Sequence, residues 1–266
     1  MMRIRYTRKE YEDAMELLRQ RIESELSMTH DVDRLLEEYA GYIIHALSIG
    51  ASKEDIELLI EDLVMRIIDD CRTLSVDNHD VDEDVIDTVF VGGDISVEER
   101  IRTRAGTFLD ELTTAYSAGE ILHMDEKSIL ASVVGNMEDP WGNPIISEVH
   151  NMVERGEVSG NVSDYEERHY GKGIPVSSKT DIEFITTSAI AATWNEWEWR
   201  SAFAVGAIGY YIERGSSCPC EECQSHTGRF YPISDKGHLP QYHRSCRCFV
   251  VYCYDKEDVI DLINNK

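Results

Sequence analysis

Apolar residues recur at helical spacing through the first half of the chain. Tyr11, Met15, Leu18, Ile22 and Leu26 share one face behind Thr7-Arg-Lys-Glu10, which has the spacing of a capping box. Val32, Leu35, Leu36, Tyr39, Ile43 and Leu47 form a second stripe that stops at Gly50. Ser52-Lys-Glu-Asp55 opens a third helix, with Ile56, Leu59, Ile60, Leu63, Val64, Ile67 and Ile68 on its core face. Cys71, near its end, reads as a small buried residue. Ser96-Val-Glu-Glu99 starts another helix, carried by Ile101, Ala105, Phe108, Leu112 and Ala115 to about Ser117. A further helical stretch near Glu126 to Met137 ends at the breaker Asp139-Pro-Trp-Gly-Asn-Pro144.

The pattern changes after Gly156. Gly, Ser and Asn replace apolar residues as far as Ser178, which predicts a loop or extended connection with His169 as a solvated loop histidine. Asp181 to about Val205 is the last long helix, and Trp194-Asn-Glu-Trp-Glu-Trp199 gives it three aromatic anchors for packing. Ala207 to Arg214 and Arg247 to Tyr254 read as strands, and Lys256 to Ile263 as a short terminal helix. Three segments follow: a helical region over 1–75, an acidic linker with further helices over 76–155, and an α+β module over 156–266.

Composition narrows the classes. At 266 residues the chain can bury a substantial core, and no apolar run approaches the roughly 20 residues needed to span a bilayer. The basic N-terminus leads into a charged amphipathic stretch rather than a secretory signal, so a reducing compartment is expected. The 26 Lys and Arg against 51 Asp and Glu give a formal charge of −25, with the excess upstream of Arg214. A surface of that sign repels phosphate, which argues against non-specific nucleic-acid binding by the upstream part. The acidic run Asp77 to Asp84 is not a calcium loop, since it has no Gly and Thr88 stands where the closing Glu belongs. It reads as a charged linker leading into a short helix.

Chemistry concentrates at the end. Six of the seven cysteines lie from Cys218 onward, in Cys218-Pro-Cys220-Glu-Glu-Cys223, His243-Arg-Ser-Cys246-Arg-Cys248 and Cys253. Two short ligand pairs joined by 19 residues have the form of a structural zinc site, because each pair sits on a tight turn and a hairpin joins the turns. The candidate ligands are Cys220, Cys223, His243 and one of Cys246 or Cys248, the other being expected to pack inward. Cys218 competes for the first pair, His226 and His238 are expected to face solvent, and a disulfide-stapled hairpin is the alternative to metal. The fold class is thus a mainly α N-terminal region followed by a small α+β C-terminal module with a zinc-stabilised β-hairpin.

The run Cys220-x2-Cys223, Gly228-Arg-Phe230-Tyr-Pro232, Pro240 and His243-x2-Cys246-Arg247-Cys248 resembles the C-terminal signature of the Mu F-like phage minor head, or head morphogenesis, proteins. Arg244 stands where that family commonly has Pro, and Cys218 and Cys253 lie outside the motif. The resemblance covers about the last ninety residues, so the helical first half rests on its own patterning. It implies a non-catalytic structural protein of a tailed phage or prophage, found in the capsid interior and, during assembly, in the host cytoplasm. Its partners would be portal and capsid or scaffold proteins, with possible DNA contact inside the head and no membrane. Arg247 would be a structural residue between two cysteines.

Two other classes compete. A zinc-ribbon-like module would use Arg214, Arg229, Lys236, Arg244 and Arg247, with Tyr231 and Tyr242 interleaved, against nucleic acid or an acidic protein; Arg244 and Arg247 are its central binding candidates. A zinc deaminase would match Pro219-Cys-Glu-Glu-Cys223 but needs a His-x-Glu half-motif that the chain lacks. A His-metal nuclease would have to use Asp235 and His238, which lack the usual framing.

Overall fold

A computed structural model describes residues 6–76, 81–92, 95–134, 155–157, 169–170, 174–175, 178–215, 220–243 and 246–254. Five helices come first: α1 Arg8–Ser48, α2 Lys53–Val76, α3 Glu83–Phe90, α4 Val97–Ile121 and α5 Glu126–Val134. The two-residue strands β1 His169–Tyr170 and β2 Ile174–Pro175 pair antiparallel, and the long helix α6 Ser178–Ala204 follows. The remainder is α+β: β3 Gly209–Glu213, α7 Glu221–His226, β4 Phe230–Pro232, a 3-10 turn at Lys236–His238 and β5 Phe249–Cys253. The protein is therefore mainly helical with a small three-stranded antiparallel sheet near its C-terminus, ordered β4-β3-β5. Among the described residues no helix is long and apolar enough to cross a membrane.

The helix starts follow the capping chemistry in the sequence. The Glu10 amide donates to Thr7 Oγ1 at 3.1 Å and the Thr7 amide donates back to the Glu10 carboxylate, completing the box. Ser52 and Ser96 accept from the amides of Asp55 and Glu99 in the same way. The first two apolar stripes, however, belong to one helix. No Gly or Pro interrupts residues 27–31, so α1 runs unbroken for 41 residues until Gly50 stops it. Gly50 takes a φ of +69° there, and the Ala51 amide reaches back to the Ala46 carbonyl at 2.9 Å. The loop predicted for Gly156 to Ser178 contains the β1–β2 pair; most of it, and the predicted helix Lys256 to Ile263, lie outside the described residues.

The described residues form two compact units, each drawn from segments distant in sequence. One comprises Met28–Cys71 and Gly93–Thr186. Its core is the predicted stripes: Val32, Leu36 and Ile43 of α1, Leu63 and Ile67 of α2, and Ile101, Phe108 and Leu112 of α4 are all fully buried. Cys71 is buried among them, its thiol against the Thr186 carbonyl at 3.4 Å. The other comprises Met1–Ser27, Arg72–Gly92 and Thr187–Lys266 and carries the sheet. Segments 1–75, 76–155 and 156–266 follow charge and motif content along the chain, whereas these units follow packing.

Within the sheet-bearing unit, β3 is central. Tyr210 faces Tyr231 of β4 on one side and Tyr252 of β5 on the other. The start of α1 covers one patch of the sheet, where Leu18 packs with Phe249 and Val251. Trp194 of α6 is buried, and the Trp199 indole donates to the Ile233 carbonyl at 3.0 Å, so these anchors serve packing as their pattern predicted. Phe108, fully buried in α4, provides a test of the helical core: Phe108→Ala should cost about 3–5 kcal/mol. Urea unfolding followed by far-UV circular dichroism would measure it, and a loss under about 1 kcal/mol would contradict this packing.

Candidate metal centre

The chain reaches the site by a short sequence of turns, each with a local cause. After β3, the Arg214 guanidinium donates to the Cys220 carbonyl at 3.0 Å. Gly215 passes so close to the Arg247 carbonyl oxygen that an added Cβ would overlap it, and it lies against Leu18 on another side. Only glycine allows that approach. Cys220 then takes an extended conformation as the N-cap of α7, and Cys223 sits three residues on, in its first turn. The Gln224 amide donates to the Cys220 carbonyl at 3.0 Å and closes that turn. An N-cap residue and the third helical residue lie one above the other, which is why Cys-x2-Cys converges here.

The second pair comes from the return path. Gly228, at a φ of +71°, ends the α7 segment and donates its amide to Ile212 of β3. β4 and the 3-10 turn carry the chain to His243, where the Cys246 amide donates to the His243 carbonyl at 3.1 Å. That turn, like the first, folds two residues three apart toward one point.

Five predicted ligands meet in two overlapping groups. The ligating atoms of Cys220, Cys223 and His243 lie within 4.8 Å of one another, and so do those of Cys223, Cys246 and Cys248. Cys223 is common to both: its Sγ is 2.9 Å from His243 Nε2 and 3.9 Å from Cys246 Sγ. Direction imposes no choice between Cys246 and Cys248: residues two apart in an extended segment share a side, and both thiols lie with Cys223. Cys253, buried at the end of β5, belongs to neither group. Cys218 and Arg244 lie outside the described residues. Cys223, Cys246 and Cys248 share a buried cluster with Tyr210, Ile212, Tyr231 and Val250.

This environment divides the thiols. Hydrogen bonding from the Cys248 thiol, aided by the backbone amides of Cys248 and Tyr242, holds the Cys246 thiol well below its ordinary value despite burial. Burial pushes the Cys223 thiol up, and the Cys246 thiolate pushes the Cys248 thiol up. A set of soft sulfur donors with one imidazole, its three central thiols buried, could hold a metal ion.

Residues expected at the surface are engaged elsewhere. His226 stacks on Tyr242 with ring centroids 4.1 Å apart, His238 stacks on Tyr231 at the same separation, and both histidines are half-buried. Arg247 is paired with Glu25 of α1, and Lys236 with Glu196 of α6. Pattern reading missed Arg21 and Glu25 of α1 and Asn195 of α6, all buried beside the Cys246–Cys248 segment. A signal for them exists, since Leu18, Arg21 and Glu25 stand at helical spacing on one face.

Comparison of the chain with family models, curated proteins and solved structures found no match in any of the three. The class is defined by its architecture: a mainly helical protein with a small antiparallel sheet and a buried Cys/His cluster able to hold an ion.

Gly215 supplies the direct test of this geometry. Gly215→Ala should displace the Arg247 carbonyl, lower metal content and destabilise the protein by about 1–3 kcal/mol. Gly237→Ala, whose added Cβ would meet only Asp235 Oδ1 at 3.5 Å, should leave both unchanged. Equal behaviour of the two variants in elemental analysis and thermal melts would contradict the close approach.

Proposed function

We propose that this chain is a structural minor head protein of a tailed phage or prophage, of the Mu F-like head morphogenesis type. Its Cys/His cluster binds one structural zinc ion that staples the sheet-bearing unit. The observation that carries the reading is the convergence of Cys220, Cys223, His243, Cys246 and Cys248, the residues of the signature, in two overlapping groups joined at the buried Cys223.

Burial supports a structural rather than a catalytic metal. Catalytic zinc keeps a position open to water or substrate, whereas Cys223, Cys246 and Cys248 are 4 %, 1 % and 2 % exposed. Among the described residues the ligand groups contain no carboxylate to shuttle protons beside the ion. Arg247 is also paired with the buried Glu25, which offsets one of the five cations on which a nucleic-acid module would rely. The unit would then serve as a rigid protein-contacting element toward portal and capsid or scaffold proteins during head assembly.

Two measurements test the reading at separate levels. Protein purified without added metal should contain about one zinc per chain, and chelation should lower the melting temperature, more readily as pH falls and protons compete for the thiolates. Metal content near zero with all thiols reactive would overturn the zinc assignment. For the biological role, the gene should lie among portal and capsid genes and the protein should be found in purified particles. A protein absent from particles, with heads assembling normally without it, would overturn the assembly role.

A further inference from the structure

The cluster rests against a buried polar network that no zinc site requires for its ligands alone. Arg21, Glu25 and Asn195 are 2 %, 5 % and 4 % exposed. The Arg21 guanidinium donates to the Cys248 carbonyl and to Asn195 Oδ1, both at 3.3 Å, and its Nε faces Glu25 Oε1 at 3.3 Å. The other Glu25 oxygen accepts from Arg247, the residue between Cys246 and Cys248. The Asn195 amide donates to the Pro240 carbonyl at 2.7 Å, three residues before His243. Every partner on the receiving side thus belongs to the segment that supplies His243, Cys246 and Cys248. All of these residues lie in the sheet-bearing unit.

Burying a guanidinium group and a carboxylate is costly unless each is paired, and here the pairing reaches one loop, in part through the half-buried Arg247. The backbone carbonyls of Pro240 and Cys248 bracket that loop, so fixing them fixes the span over which three ligands must converge. Groups that orient metal ligands in this way typically change affinity 10- to 100-fold when removed.

We infer that Arg21 and Glu25 of α1, with Asn195 of α6, are positioning residues for the metal centre, so that metal occupancy and seating of α1 residues 8–27 are coupled. The inference rests on the metal reading given above. It extends that reading by making the N-terminal helix part of the site's supporting shell. Because linkage is reciprocal, anything that draws the start of α1 away from the sheet releases the metal, and loss of the metal loosens that helix by the same factor.

The test uses the full chain, with Co2+ as a spectroscopic probe and Zn2+ competition against a chelator for affinity. Glu25→Gln keeps size and removes the charge that Arg21 and Arg247 share. Its zinc affinity should fall about 10- to 100-fold, with altered thiolate-to-cobalt absorption. Phe90→Ala, a core truncation in the same unit outside the network, serves as the control and should leave affinity and spectrum unchanged. A second measurement needs no variant: chelating the metal from the wild-type protein should lower amide-exchange protection in residues 8–27, with α4 as internal reference. Wild-type protein that binds neither ion overturns the metal centre and this inference with it. A metal-loaded protein in which Glu25→Gln matches wild type, or Phe90→Ala weakens binding equally, overturns the positioning role alone. So does unchanged protection of α1 after chelation.

Discussion

Two cysteine-bearing turns, separated by β4 and a 3-10 turn, bring their sulfur atoms together in a largely buried cluster. Thiols there pack as small apolar groups while protonated, whereas thiolates need an ion to offset their charge. The local geometry reflects that demand. Cys220 caps a six-residue helix that is too short to stand alone, and Cys246 follows a tight turn at His243. Elements this small acquire stability from what they share at the centre. The flanking sheet of three short strands gains from the same point, since Tyr210, Ile212 and Val250 pack directly onto the cysteines.

The supporting polar residues change how the N-terminal helix is understood. An amphipathic helix docks through its apolar stripe, and Leu18 does so against Phe249 and Val251. Arg21 and Glu25 share that face and add directional bonds, which apolar packing lacks. Hydrophobic contact tolerates sliding and rotation, whereas a guanidinium facing one carbonyl and one carboxamide does not. The start of α1 is thereby fixed in register, with Tyr6 adding a hydrogen bond to Glu213 at 2.8 Å.

Much of this was legible in the sequence where a single local rule governs. The boxes at Thr7 and Ser96, the stop at Gly50 and the core stripes of α2 and α4 each depend on residues within one or two turns. The ligand residues could be named because spacing alone brings residues three apart onto one side of a turn. Errors arose where tertiary context decides. Two stripes in α1 looked like two helices because the apolar face shifts near Met28, where the helix leaves one compact unit for the other. Cys246 and Cys248, two residues apart, share one side of the extended segment, so spacing alone does not choose between them. His226 and His238 looked solvated because their ring partners, Tyr242 and Tyr231, come from other elements. For Arg21 and Glu25 helical spacing is the one local signal: charged residues are rarely buried, and their partners Cys248 and Arg247 lie more than two hundred positions away.

That last separation has a consequence for how the chain is made. Residues 8–27 find their partners in residues 187–254, so the unit that contains them cannot close until Arg247 and Cys248 have been synthesised. Contacts so distant in sequence carry a large loop-closure cost and form late. The intervening unit, built from Met28–Cys71 and Gly93–Thr186, has all its segments available earlier. Synthesis therefore favours an order, with the mainly helical unit assembling first. The Arg21–Glu25 face stays hydrated until the segment carrying Arg247 and Cys248 emerges.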